Sequence, residues 1–85
     1  GNIGDVYPNP TERKANIELK LDEKQNLRIE LYDAYGIRVM NIYNGSLNAG
    51  SHEFTIDGSG LASGFYIFKV TGKDFVESKK VIISK

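Results

Sequence analysis

Apolar and polar side chains alternate along most of this chain. Ile17, Leu19 and Leu21 fall on one face of an extended segment and Glu18, Lys20 and Asp22 on the other, which predicts a half-buried strand. Leu27, Ile29 and Leu31 repeat the pattern against Arg28, Glu30 and Tyr32, with a short polar reversal over residues 22–26 between the two segments. His52, Phe54 and Ile56 alternate in the same way. Residues 64–71 are apolar on both faces, Tyr66, Phe68 and Val70 against Phe65 and Ile67, as in a central strand, and residues 75–84 form the last one. In the segment between, Ile37 and Val39 are followed by Met40 and Ile42. That slip of phase predicts a bulge or a strand that changes sheets. No segment keeps the i, i+3, i+4, i+7 spacing over the length a helix needs, and residues 59–63 give the only hint of one.

Turn chemistry separates these segments. Asp33 can accept bonds from backbone amides ahead of it and Gly36 can take positive φ at the end of the same turn. Asn44 with Gly45, Asn48 to Gly50, Asp57 to Gly60 and Thr71 to Asp74 are further loop signals. Counting a strand at residues 5–7, about seven short strands with turns every 8 to 12 residues predict an all-β fold of two packed antiparallel sheets. With no cysteine and no tryptophan, the first reading is an immunoglobulin-like sandwich without a disulfide, and the second is a small, partly open barrel.

Composition narrows function more than fold. Eighty-five residues make one domain. Eleven Lys and Arg balance eleven Asp and Glu, so no net charge attracts nucleic acid or anionic lipid. No window approaches the roughly 18 apolar residues of a membrane-spanning helix, so no membrane insertion is expected. The first five residues lack the regions of a secretory signal and contain no Met, which reads as a piece of a longer polypeptide, with a linker at 1–5 and the domain at 6–85. The lack of cysteine suits a reducing or an oxidising compartment alike.

Candidate chemistry is sparse. His52 is the only histidine and there is no cysteine, so the usual zinc sites and a cysteine nucleophile are excluded. Ser51, His52 and Glu53 are consecutive in a strand and point alternately to opposite faces, so they cannot form a proton relay. Asp22, Glu23, Asp33, Asp57 and Asp74 sit at turns and match no calcium-loop spacing; no phosphate-binding glycine loop is present. Neither a cofactor nor catalysis is expected. Tyr35, Tyr43 and Phe75 are candidates for an exposed sugar-stacking platform, which gives one functional reading: a non-catalytic carbohydrate-binding or spacer module of a cell-surface enzyme.

A second reading comes from three blocks in fixed order. They are Tyr7, Pro8, Asn9, Pro10 with Thr11; Leu61, Ala62, Ser63, Gly64, Phe65, Tyr66; and Lys79, Lys80 through Ile83 to Lys85. Together with "IELYDAYGIRV" and "LNAGSHEF" between them, they resemble the C-terminal sorting domain (type A) of proteins exported by the type IX secretion system of the Bacteroidota. The charged Glu12, Arg13 and Lys14 depart from the glycine-containing turn of many members. Accessory modules of surface glycosidases and the domain of flagellar hook-capping proteins share the strand pattern and match the basic end less well.

The resemblance implies an address rather than an enzyme. An N-terminally fused cargo would reach the periplasm, the outer-membrane type IX translocon would recognise the folded domain, and a sortase-like peptidase would cut upstream of it at the cell surface, leaving the cargo anchored there or extracellular. The recognition motif it implies is Tyr7, Pro8, Asn9, Pro10, Gly64, Tyr66, Lys79, Lys80 and Lys85. Physically, two prolines stiffen the entry and withhold two amide donors. The last strand, with its lysines, offers an exposed edge to which a receptor can add a strand.

Overall fold

The computed structural model describes residues 2–85, and in it the alternating segments become seven strands: β1 (Asn2–Tyr7), β2 (Lys14–Leu21), β3 (Gln25–Asp33), β4 (Arg38–Leu47), β5 (Gly50–Asp57), β6 (Gly64–Thr71) and β7 (Val76–Ile83). They form a three-stranded sheet, β1-β2-β5, and a four-stranded sheet, β4-β3-β6-β7, with every strand pairing antiparallel. The chain crosses between sheets after β2, β4 and β5, the Greek-key connectivity of an immunoglobulin-like sandwich.

Packing follows from the alternation. The apolar faces of β2 (Ile17, Leu19, Leu21) and β3 (Leu27, Ile29, Leu31) meet those of β6 (Phe68, Val70) and β7 (Val81, Ile83) in one continuous core. Burying each such side chain contributes about 1.5–3 kcal/mol, and with no disulfide this apolar core carries the stability. β6 lies between β3 and β7, as its two-sided apolar pattern requires.

Three local expectations are settled by the pairing. The phase slip in β4 is a bulge: between Ile29↔Tyr43 and Tyr32↔Arg38 the register shifts twice, yet β4 never leaves its sheet. The polar segment after β2 is an inter-sheet crossing rather than a hairpin, so β2 and β3 face each other across the core. Asn44 and Gly45 do not form a loop. They lie inside β4, paired opposite Arg28 and Leu27, where the Tyr43 hydroxyl passes beside Gly45 and donates to the Ser46 carbonyl at 2.6 Å.

A linker is expected at residues 1–5, of which residue 1 lies outside the described residues. Residues 2–5 already belong to β1, where Asn2 pairs with Lys20 and Ile3 with Leu19, and Ile3 is buried. Ile3 and Val6 are three apart, which breaks period two. A register shift between them lets both turn toward the core.

Gly58 is held by close approach. Gly58 follows β5, its N–H donates to the Arg13 carbonyl at 2.7 Å, and a Cβ there would stand 2.7 Å from Cδ1 of buried Ile83 and 3.1 Å from the Arg13 carbonyl oxygen. Gly58→Ala is therefore expected to lower stability by about 1–3 kcal/mol in urea denaturation, whereas Gly60→Ala, with open space around the new methyl, should stay within about 0.5 kcal/mol. Equal midpoints for the two variants would show that Gly58 is not sterically constrained.

Candidate recognition site

The three sequence blocks meet at one end of β7. Pro8 and Pro10 carry no N–H, so residues 8–11 cannot add to a sheet as an ordinary strand. Asn9 replaces the missing peptide groups with its side-chain amide. Its Nδ2 donates to the Lys80 carbonyl at 3.0 Å and its Oδ1 accepts from the Ile82 N–H at 2.9 Å. Thr11 then bonds through its own backbone, donating to the Ile82 carbonyl at 2.9 Å and accepting from the Ser84 N–H at 2.8 Å, in parallel orientation to β7. Thr11 is buried, and its hydroxyl donates to the Lys14 carbonyl and accepts from the Arg13 N–H, which turns the chain into β2.

This strap changes the expected role of the β7 edge. β7 does end its sheet, but its rim from Lys80 to Ser84 is occupied by Asn9 and Thr11, because the neighbouring β1 delivers the strap there. The expectation of a wholly exposed edge holds only for the half before Lys80. Tyr7, the last residue of β1, points the other way and donates its hydroxyl to Glu53 of β5 at 2.9 Å; that bond to a carboxylate raises the phenol above its ordinary range.

The second block closes the same corner. The Tyr66 hydroxyl donates to the Ala62 carbonyl at 2.6 Å, the Lys85 N–H donates to Ser63 Oγ at 3.0 Å, and Gly64 pairs with Ile83. Lys85 Nζ donates to the Ser59 carbonyl at 2.9 Å. Ser59 in turn donates twice to Asp57 Oδ1, through its hydroxyl and its N–H. These two bonds, helped by the charges of Arg13 and Lys14 against a smaller opposing effect of burial, hold the Asp57 carboxyl below its ordinary pKa. Of the predicted lysines, Lys80 and Lys79 point to opposite faces of β7: Lys80 lies over the Phe65 ring at 5.6 Å on the outer face, and Lys79 is on the side of Val81 and Ile83 yet exposed at the rim.

A further polar cluster stands on the outer face of the four-stranded sheet. Glu30 is only 6% exposed there, receiving Arg38 Nη1 at 3.1 Å and the Tyr32 hydroxyl at 3.0 Å, with Arg28 Nε at 3.9 Å. Burial alone would raise its pKa; the Arg38 and Tyr32 bonds and the charges of Arg28 and Arg38 together outweigh burial and hold the carboxyl below its ordinary value.

Sequence reasoning assigned no separate role to Thr11, Ser63 or Glu30. The first two stand inside the blocks it singled out; Glu30 was readable only as an outward strand position, since its partner Arg38 comes from another strand. The aromatic platform does not assemble: Tyr35 is exposed in the β3–β4 turn, Tyr43 packs on Phe54 at 5.9 Å between centroids, and Phe75 packs against the core. His52 is half-buried near the start of β5 and bonds the Asn48 carbonyl at 2.8 Å. Among the described residues no three His, Asp or Glu side chains gather within reach of a metal ion.

A family model described as the secretion system C-terminal sorting domain matches residues 5–84. The chain belongs to this family of type IX secretion sorting domains. No curated protein and no solved structure matches it. A sorting domain of this kind is a C-terminal signal for type IX secretion, and the cargo that bears it is destined for the cell surface or the exterior. Parts of all three sequence blocks, Asn9 with Thr11, Ser63 to Tyr66 and Lys80 to Lys85, meet at the corner described above.

Two outcomes follow. Asn9→Ala should lower stability by about 1–3 kcal/mol and speed exchange of the Ile82 amide more than that of core β3 amides, measured by hydrogen exchange; unchanged Ile82 protection would refute the strap's role. Because the Glu30 carboxyl sits lower in the folded than in the unfolded chain, its stabilisation is complete above the unfolded value of about 4.3 and is lost as pH falls through the folded value. Urea midpoints from pH 7 down to 2 should thus fall less steeply for Glu30→Gln than for the native chain.

Proposed function

We propose that this sorting domain is a folded address read by the outer-membrane translocon of the type IX system, with the terminal corner of strap, 61–66 loop and lysine-bearing β7 as the part that is read. The reading is carried by the family match over residues 5–84, and the convergence of the three blocks supports it. The proposed recognition residues divide by task. Pro8, Asn9, Pro10, Gly64 and Tyr66 shape the corner through the strap and the 61–66 loop, Tyr7 leads into it while bonding Glu53, and Lys79, Lys80 and Lys85 give it positive charge. In this reading the chain is a substrate and performs no catalysis. A cargo fused to its N-terminal side is carried through the periplasm and released or anchored after a sortase-like peptidase cuts upstream. Residues 2–5 lie in β1, where Asn2 and Ile3 are paired, so a cut among them would break a strand; this favours a scissile bond N-terminal to Asn2.

Deleting the last strand is a poor test, because Val81 and Ile83 are core residues and the domain would unfold. The informative fusion carries Lys79→Gln, Lys80→Gln and Lys85→Gln behind a periplasmic reporter in a host with the system. Export to the medium is expected to fall by about tenfold or more relative to the native fusion while the folded fraction stays the same. Undiminished export would remove the lysines from the signal, and a released reporter whose mass ends within residues 2–85 would refute the placement of the cut.

A further inference from the structure

The neutral chain is electrically divided. Period-two alternation puts Arg28, Arg38, Lys69 and Lys80 on the outer face of the four-stranded sheet, and Glu30 is the only acid among them. That leaves seven basic residues against ten acidic ones for the rest of the chain, out of eleven of each. The same face holds the apolar side chains of Phe65, 47% exposed, and half-buried Ile67 and Ile82, in adjacent register: Phe65 opposite Ile82, Ile67 opposite Lys80. Both lysines lie low over aromatic rings, Lys80 over Phe65 at 5.6 Å and Lys69 over Tyr32 at 5.5 Å.

We propose that this outer face is a docking surface for an acidic protein segment that also carries apolar side chains. The proposal rests on the sorting reading only in that the face adjoins the corner assigned to the translocon. Charge complementarity identifies the occupant. Four cations share the face with an apolar group at one end of it, where Lys80 is opposite Ile67, and against them stands a single carboxylate, so further carboxylates arriving at the face meet a net positive charge. A lipid surface fits less well. It favours cations that project to reach a plane of phosphates, whereas here Arg28 and Arg38 turn to Glu30 and the lysines are laid over rings. The strap supplies a second reason, since it closes to strand addition the half of the β7 rim that lies beside Ile82 and Phe65, so a partner at that end of the face meets side chains.

The test uses the full chain, labelled for amide NMR, titrated with a short peptide alternating Glu and Phe, with the same peptide bearing Lys for Glu, and with phosphatidylglycerol vesicles. Shifts are expected to cluster at Phe65, Ile67, Lys69, Lys80 and Ile82 with the acidic peptide only, to weaken as salt rises, and to drop by about tenfold or more in Lys69→Glu with Lys80→Glu. The variant's dispersed amide spectrum confirms that it is folded, and if it is not, Lys69→Gln with Lys80→Gln replaces it. Scattered shifts, undiminished binding in the variant, or binding to the vesicles and not the peptide would each overturn the proposal. Export of the unmodified reporter fusion is scored separately, so the docking surface can fail while the sorting reading stands.

Discussion

The architecture depends on the four hydrogen bonds by which Asn9 and Thr11 hold the rim of β7. Hydrophobic burial presses the two sheets together but is non-directional, and by itself it does not say which residue of one edge lies beside which residue of the other. Directional bonds do. With Asn9 spanning Lys80 and Ile82, and Thr11 spanning Ile82 and Ser84, a slip of β7 by one residue would lose all four and would turn Val81 and Ile83 out of the core. The same register sets Gly64 against Ile83 and Lys85 against Ser63, so the second block is placed by the first through the third.

The proline pattern takes its meaning from that contact. Two residues without N–H groups, on either side of an asparagine, read in the sequence as a stiff entry unsuited to a sheet, and as a backbone ladder that reading is right. What it could not supply was the partner. A side-chain amide has one donor group and one acceptor, the same inventory as a peptide unit, and Asn9 uses both on a strand more than seventy residues away. Nothing local to residues 7–11 specifies that distance, whereas β2, β3, β5 and β6 were legible because their faces alternate with the period of the strand itself. β1 and β4 were read less well for one shared reason: each carries a register shift, and an extra residue in a strand erases the periodicity on which the reading relies. Asn44 and Gly45 misled further, since loop-forming residues in an edge strand follow the pairing that their neighbours impose.

Charge shows the difference between inventory and placement. A count of eleven against eleven excludes a net field, and at the scale of the whole molecule it does so correctly. Folding then sorts the charges by strand parity. Four cations share the outer face of one sheet, while Glu18 and Glu53 come opposite each other on the other sheet, where Tyr7 donates to Glu53. The alternation that built the core thus also set a cationic face on one sheet against a face of mixed sign on the other, where Lys14 and Lys20 accompany the acids. At distances shorter than a Debye length of about 8 Å, a partner senses one face and not the sum.

A covered edge and a polarised face are connected consequences of the same economy. An unprotected final strand in a small domain is a template for uncontrolled pairing with other chains, and lysines on an open rim are one common defence. Here the strap takes over that duty along the terminal half of β7, and its hydrogen bonds satisfy the rim directly. Lys80 is thereby freed from guarding an edge and lies instead across Phe65. Strand addition selects mainly by backbone and tolerates many partners, whereas a face of defined cations and apolar groups selects by side chain. For a domain that must be told apart from every other β-sandwich in the same compartment, the second mode gives the discrimination that the first lacks.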